Sequence, residues 1–250
     1  MNEMKRVLLG MLTPSSNTAL EPLTAAMLAG LPEVSAHFAR FRVTEISLSA
    51  QALGQFDLEP ILQAARLLAD AQVDVIAWNG TSSGWLGFDT DEALCARITA
   101  ETGIPACTSV LALNEAMQLS GRTRFGLASP YLGDVQQRIV ANYGASGFDC
   151  VAERHLDQHV NFAFSEVTPA QIETMARELA AAGPQCITTF CTNLRAAQLV
   201  PALEAELDMP VYDTIATAVW KSLRLAGVDT RRVQGWGRLF SELSGHATQA

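Results

Sequence analysis

The chain has little positive charge. Its 17 Lys and Arg stand against 26 Asp and Glu in 250 residues, a formal net charge of −9. Nucleic-acid surfaces need clustered Lys and Arg, which are missing here, so no nucleic-acid partner is expected. The deficit does not exclude acidic ligands, because backbone amides and hydroxyls hold anions locally. Long hydrophobic runs are also missing. The opening stretch MNEMKRVLLGMLTPSSN is too briefly apolar to span a bilayer and lacks a small-residue cleavage site, so no membrane partner is expected. The five cysteines are odd in number and form no CxxC pair, which points to reduced thiols in the cytoplasm. Of four histidines, two are spaced i, i+4 in HLDQH, 155–159. On a helix such a pair can hold zinc, but no third ligand lies near it and no metal site is expected. The chain has no Gly-rich dinucleotide fingerprint and no P-loop, and no serine-hydrolase elbow is expected either.

What is present is apolar and alternating. With 49% apolar and 17% charged residues, a sizeable core forms, as one large α/β domain or two small ones. β-like runs at 6–12, 73–78, 124–129 and 185–190 alternate with helical patterns at about 19–30, 58–71, 90–102, 109–119, 131–143, 168–182, 195–206 and 214–226. This is the pattern of a parallel sheet covered on both faces.

The elements also recur. VLLGMLTPSSNT matches RFGLASPYLGDV, VDVIAWNGTSS matches QCITTFCTNL, and GIPACTSVLALNEAM matches DMPVYDTIATAVWKSL, where Pro opens a short strand before a helix. An internal duplication follows: two similar Rossmann-like α/β lobes with parallel sheets related by a pseudo-two-fold. The first lobe is expected over 1–115 plus 215–250, and the second over 116–214. Open α/β sheets bind ligands at the carboxyl ends of their strands. Four loops, 13–17, 80–84, 130–134 and 191–193, are therefore expected to meet in an inter-lobe active-site cleft.

Each loop has a structural and a chemical reading. Pro14, Ser15 and Asn17 can cap a helix or contact a ligand; Thr81 and Ser82 can do the same, with free amides forming an anion nest. Gly80 suits a positive φ or a close backbone approach, and leaves open space. Tyr131 can place a phenol on a carboxylate or pack, and Asn161 can bind a ligand or serve the core. Cys95, Cys107, Cys150 and Cys186 read as small buried hydrophobes. Cys191 instead ends a strand and opens the polar loop CTN ahead of a helix, whose amides favour thiolate.

These residues resemble the aspartate/glutamate racemase superfamily. The run PSSNTALE (14–21), Tyr131 and Asn161 are similar to substrate-binding positions of maleate cis-trans isomerase. Gly80-Thr81-Ser82, one cysteine at 191, and GWGRLF (235–240) are similar to arylmalonate decarboxylase. Racemases of this superfamily use two cysteines, one per substrate face, and here Gly80 stands where the first would be. The resemblance implies a cofactor-free carboxy-lyase acting on a substituted malonate or related small dicarboxylate. In it Cys191 protonates an enediolate, while Thr81, Ser82 and Tyr131, with the amides of Ser82, Thr192 and Asn193, hold a carboxylate. The alternative it implies is a maleate isomerase or Asp/Glu-type racemase, with Asn17 and Asn161 forming a second polar carboxylate site. No cofactor is expected, and homodimerisation is an expectation by the same resemblance.

Overall fold

A computed structural model describes residues 5–243. Its eight strands are β1 (Val7–Pro14), β2 (Val34–Phe41), β3 (Val75–Trp78), β4 (Ala106–Thr108), β5 (Arg124–Ala128), β6 (Asp149–Arg154), β7 (Cys186–Thr189) and β8 (Val211–Asp213). They form two four-stranded sheets in the orders β2-β1-β3-β4 and β6-β5-β7-β8, with every pairing parallel. The inner strands β1, β3, β5 and β7 are nearly continuous apolar runs because helices cover both faces. The helix Leu58–Asp70 shows how: Ile61, Leu62, Ala65 and Leu68 fall on one buried stripe against β1 and β2.

The duplication holds residue by residue. Leu12, Trp78 and Thr108 lie side by side in the first sheet, and Ala128, Thr189 and Asp213 in the second. Two residues beyond them come Pro14 and Gly80 in one lobe, Pro130 and Cys191 in the other. Single backbone bonds repeat as well. Asn79 N donates to Leu12 O at 3.1 Å, and Phe190 N to Ala128 O at 2.7 Å.

The sequence patterns miss β2 and β6, the two outer strands before each central pair. VSAHFARF and DCVAER are half-exposed and mixed in polarity, so neither a continuous nor an alternating apolar signal marks them. The short helices Ala50–Leu53, Ser83–Leu86 and Asn161–Phe164 are too brief for a helical period. The helix expected from 195 starts later, as a 3₁₀ turn Ala197–Leu199 running into Val200–Leu207. The helix Thr214–Leu225 packs on the helix Ser109–Leu119 and touches β3, β4 and β8, so it contacts both sheets. Thr217 Oγ1 donates across that contact to Ser109 O at 2.9 Å. The assignment of 215–250 to the first lobe is a proposal, and its ends at 1–4 and 244–250, with His246, lie outside the described residues.

Two carboxyls are buried beneath the loops, at Asp91 in one lobe and Asp213 at the end of β8 in the other. Asp213 caps the helix Thr214–Leu225, accepting from Ile215 N at 2.9 Å, Ala216 N at 3.2 Å and Thr189 Oγ1 at 2.7 Å. Asp91 accepts from Ser83 Oγ at 2.8 Å. Burial pushes each from its ordinary 3.8 to about 6, against the opposing pull of these hydrogen bonds. The folded chain therefore binds these protons more tightly than the unfolded chain does. Stability should rise as pH falls from about 7 through 6 and on toward the unfolded value near 4, by about 0.8 kcal/mol per group at pH 5.5 and approaching about 3 kcal/mol per group only at the low end, at about 1.4 kcal/mol per pKa unit. Denaturant melts at pH 7.5 and 5.5 read the first part of this gain, and Asp213→Asn should remove about half of it, leaving the share of Asp91.

Candidate active site

The loops at the carboxyl ends of both sheets enclose a cavity of about 20 Å³, lined by Pro14, Gly80, Thr81, Tyr131, Asn161, Cys191 and Thr192 among the expected residues. That volume is room for about one water, so the cleft is shut in this conformation. The remaining wall is Val43, Ile46, Phe56, Trp78 and Trp85. Sequence patterns do not single these out, because isolated apolar residues in loops look like ordinary core. Trp78 is the exception, since it stands two residues before Gly80 at the strand end.

Ser15, Asn17, Ser82 and Asn193 do not line this cavity. Ser15 is exposed and its hydroxyl accepts from Val43 N at 3.2 Å. Asn17 fastens the two lobes together. Its Oδ1 accepts from Ala19 N and Leu20 N at 3.0 and 2.9 Å, and its Nδ2 donates to Thr192 O at 2.9 Å. Asn193 donates through Nδ2 to Asn161 O at 2.6 Å and accepts from Thr18 N at 2.9 Å. Asn161 reaches the cavity wall, but its Nδ2 donates to Val43 O at 3.3 Å. The amide groups of Asn17 and Asn161 are thus engaged by backbone.

At the other end the groups converge on sulfur. Tyr131 Oη and Thr81 Oγ1 lie 2.6 Å apart, and the tyrosine ring is held edge-on between Trp85 and Phe164, at 5.4 and 5.5 Å. Cys191 Sγ accepts from Asn193 N at 3.4 Å. That amide is therefore spent on the thiol. The amides of Ser82 and Thr192 have no protein acceptor among the described residues. Burial pushes the Cys191 thiol up to about 11, opposed by the Tyr131 hydroxyl and the amides of Asn193 and Leu194. No α-helix begins at the thiol, since the next one starts at Val200, so the expected thiolate-favouring helix terminus is not there. At neutral pH Cys191 is a thiol.

The expected space at Gly80 is filled. Its φ is not positive. A Cβ built there would lie inside the indole of Trp78, so the missing side chain makes room for a ring from the same strand. Residues 80–84, GTSSG, also spell G-x-S-x-G, contrary to the expectation of no elbow. Ser82 nevertheless has an ordinary right-handed backbone (φ −60, ψ −33) rather than a strained turn, and no described histidine bonds to it. The histidine pair falls on irregular chain rather than a helix, with His155 Nδ1 on Glu153 at 2.8 Å. The GWGRLF tail lies away from the cavity, where Arg238 N donates to Glu204 at 2.7 Å.

Two sheets of four parallel strands, whose matched loops close on one thiol, define a two-lobed α/β protein with a candidate site between the halves. The chain belongs to the arylmalonate decarboxylase family, whose profile matches residues 9–240. It is 28% identical over 188 residues to an arylmalonate decarboxylase of Bordetella bronchiseptica, covering 74% of this chain and 78% of that one. It is 24% identical to a maleate isomerase of Geobacillus stearothermophilus over 90% of this chain and 94% of the other. Among solved structures, the maleate isomerase Iso of Pseudomonas putida S16, in a variant with maleate, superposes with a TM-score of 0.87 at 22% identity over 95% and 98% of the two chains. A liganded double variant of arylmalonate decarboxylase gives 0.84 at 22%, over 95% and 100%. The family thus has decarboxylase and cis-trans isomerase relatives.

A thiol with a raised pKa alkylates in proportion to its small thiolate fraction, about tenfold faster per pH unit until that pKa is reached. Iodoacetamide labelling of Cys191, followed by peptide mass mapping, should still be climbing at pH 9.5. A plateau near pH 7 would mean that the thiolate is the resting form.

Proposed function

We propose that the protein is a cofactor-independent decarboxylase of a substituted malonate or a related small dicarboxylate, with Cys191 as the proton donor. The carrying observation is one neutral thiol on an apolar cavity with hydroxyls at one end. Thr81 and Tyr131, with the free amide of Thr192, are assigned to the carboxylate that stays. Loss of CO2 leaves the bonding pair on the α-carbon and, by delocalisation, on that carboxylate. Donors already aimed at the growing charge stabilise it, typically by a few kcal/mol for each donor. The enediolate then takes the thiol proton, and the resulting thiolate, held by the Asn193 amide, is reprotonated from water. The sum is malonate plus one proton giving a monoacid plus CO2.

The leaving carboxylate faces Val43, Ile46 and Phe56, an environment that favours neutral CO2 over an ion. The engagement of Asn17 and Asn161 by backbone supports this reading over a dicarboxylate isomerase, which needs polar donors at both ends. Gly80 leaves the opposite face without a second thiol, which weighs against two-thiol isomerisation or racemisation.

Methylmalonate in heavy water should yield propionate carrying one solvent deuterium at the α-carbon, with one CO2 per turnover, read by NMR and gas analysis. Cys191→Ala should lower kcat by about 100- to 10,000-fold, the usual range for a general acid. Conversion of maleate to fumarate without CO2, or an unchanged rate in Cys191→Ala, overturns the assignment.

A further inference from the structure

The matched lobes differ at two linked positions. In the second, Thr189 stands at the strand end two residues before Cys191, and its hydroxyl turns to Asp213 at 2.7 Å. In the first, Trp78 and Gly80 take those places, and the indole covers the glycine. Volume has moved from the side chain at the loop to the one at the strand end. The indole is 1% exposed and lies against Phe41 at 5.0 Å between ring centres. Its backbone is fixed between Leu12 and Thr108.

Trp78 and Phe56 are also shared walls. They line the closed site and a second, larger and mainly apolar cavity of about 240 Å³, bounded further by Leu58, Ile61, Leu86 and Leu94 together with Thr90, Asp91 and Arg97. Ser82, absent from the site cavity, opens on this second one. The indole is therefore a partition between a cramped reaction chamber and an apolar room large enough for a ring.

We propose that Trp78 determines the specificity of this site: its indole fills the volume on the Gly80 side of the reacting carbon, restricting the α-substituent to small alkyl groups and shutting off the apolar room behind it. The proposal rests on the decarboxylase reading for its substrate class, although the partition itself is a matter of packing. Val43, Ile46 and Phe56 come from the segment between β2 and the helix Leu58–Asp70, outside any named strand, and are the walls left to shift when a substrate enters. Trp78 sits on a strand paired on both sides, so it stays when they move. Short alkylmalonates are thus the favoured class, and arylmalonates are excluded by the indole rather than by the family's chemistry.

The test compares wild type, Trp78→Ala and Trp78→Leu, the leucine guarding against a variant that fails to fold. The ratio of kcat/KM for methylmalonate to that for phenylmalonate should fall at least about tenfold in a folded variant, the scale on which apolar pockets discriminate by size. Calorimetric binding of propionate and phenylacetate, which need no turnover, should show the same shift in the ratio of affinities. A turnover ratio unchanged in both variants, with wild type active, overturns the specificity role and leaves the decarboxylase reading standing. No turnover in any form, with phenylacetate binding gained in the variants, removes the decarboxylase reading and keeps the partition. An unchanged affinity ratio removes the partition. A packing readout is independent of ligand: Gly80→Ala should lower Tm in wild type and much less in Trp78→Leu, since contacting residues are not additive. Equal losses in both backgrounds would show that the indole does not constrain position 80.

Discussion

The Thr192 hydroxyl donates to the carbonyl of Asn79 at 2.8 Å, and the Thr192 carbonyl accepts from Asn17 at 2.9 Å. Those two bonds tie the cysteine loop of one sheet to two loops of the other. Parallel sheets end in frayed backbone polar groups, and two such ends facing each other need partners for those groups or water to serve them. Here side-chain amides and hydroxyls from each half satisfy the other. The sulfur of Cys191 sits one residue from that junction, so its distance from Thr81 and Tyr131 is set by the seam between the lobes. The Asn17 bond, with those of Asn193 to Asn161 and Thr18, explains why Asn17 and Asn193 are engaged between the lobes rather than turned toward the cavity.

Burial then sets the chemistry available. In a dry chamber the neutral form of a thiol is favoured, and the amides and the phenol that favour the thiolate oppose this only in part. A thiol held this way is a donor waiting for a base, which suits a carbanion-like intermediate that takes a proton. The family has relatives named as decarboxylases and as cis-trans isomerases, and the place matching Cys191 lies just past the end of β3 in the other lobe. In this chain that place holds a glycine with an indole packed on it.

Much of the fold was legible because periodicity is written locally. The inner strands are buried on both faces and read as apolar runs; the helices carry their 3.6-residue stripe. Edge strands β2 and β6 were illegible, since half-exposed strands of mixed composition have no signal of their own. The candidate site was legible as a set of loops. Pro14, Gly80, Thr81, Tyr131, Asn161, Cys191 and Thr192 do meet at one cavity, because a duplication in the sequence repeats the placement of strand ends. The roles of Ser15, Asn17 and Asn193 were not legible. Ser and Asn before a helix read alike whether they cap, bridge lobes or bind, and only the partner's position separates these.

By itself the sequence determined the two-lobed α/β plan, the matched loops and the lone thiol at 191, since spacing and composition are enough for these. The tertiary structure decided what the gap at Gly80 means and which protonation state Cys191 holds. Both depend on how side chains are placed in the folded volume: the Trp78 ring folded back over its own strand end, and the apolar walls from other segments that bury the sulfur. Solvation and steric exclusion are properties of the assembled volume, and no local stretch of chain contains them.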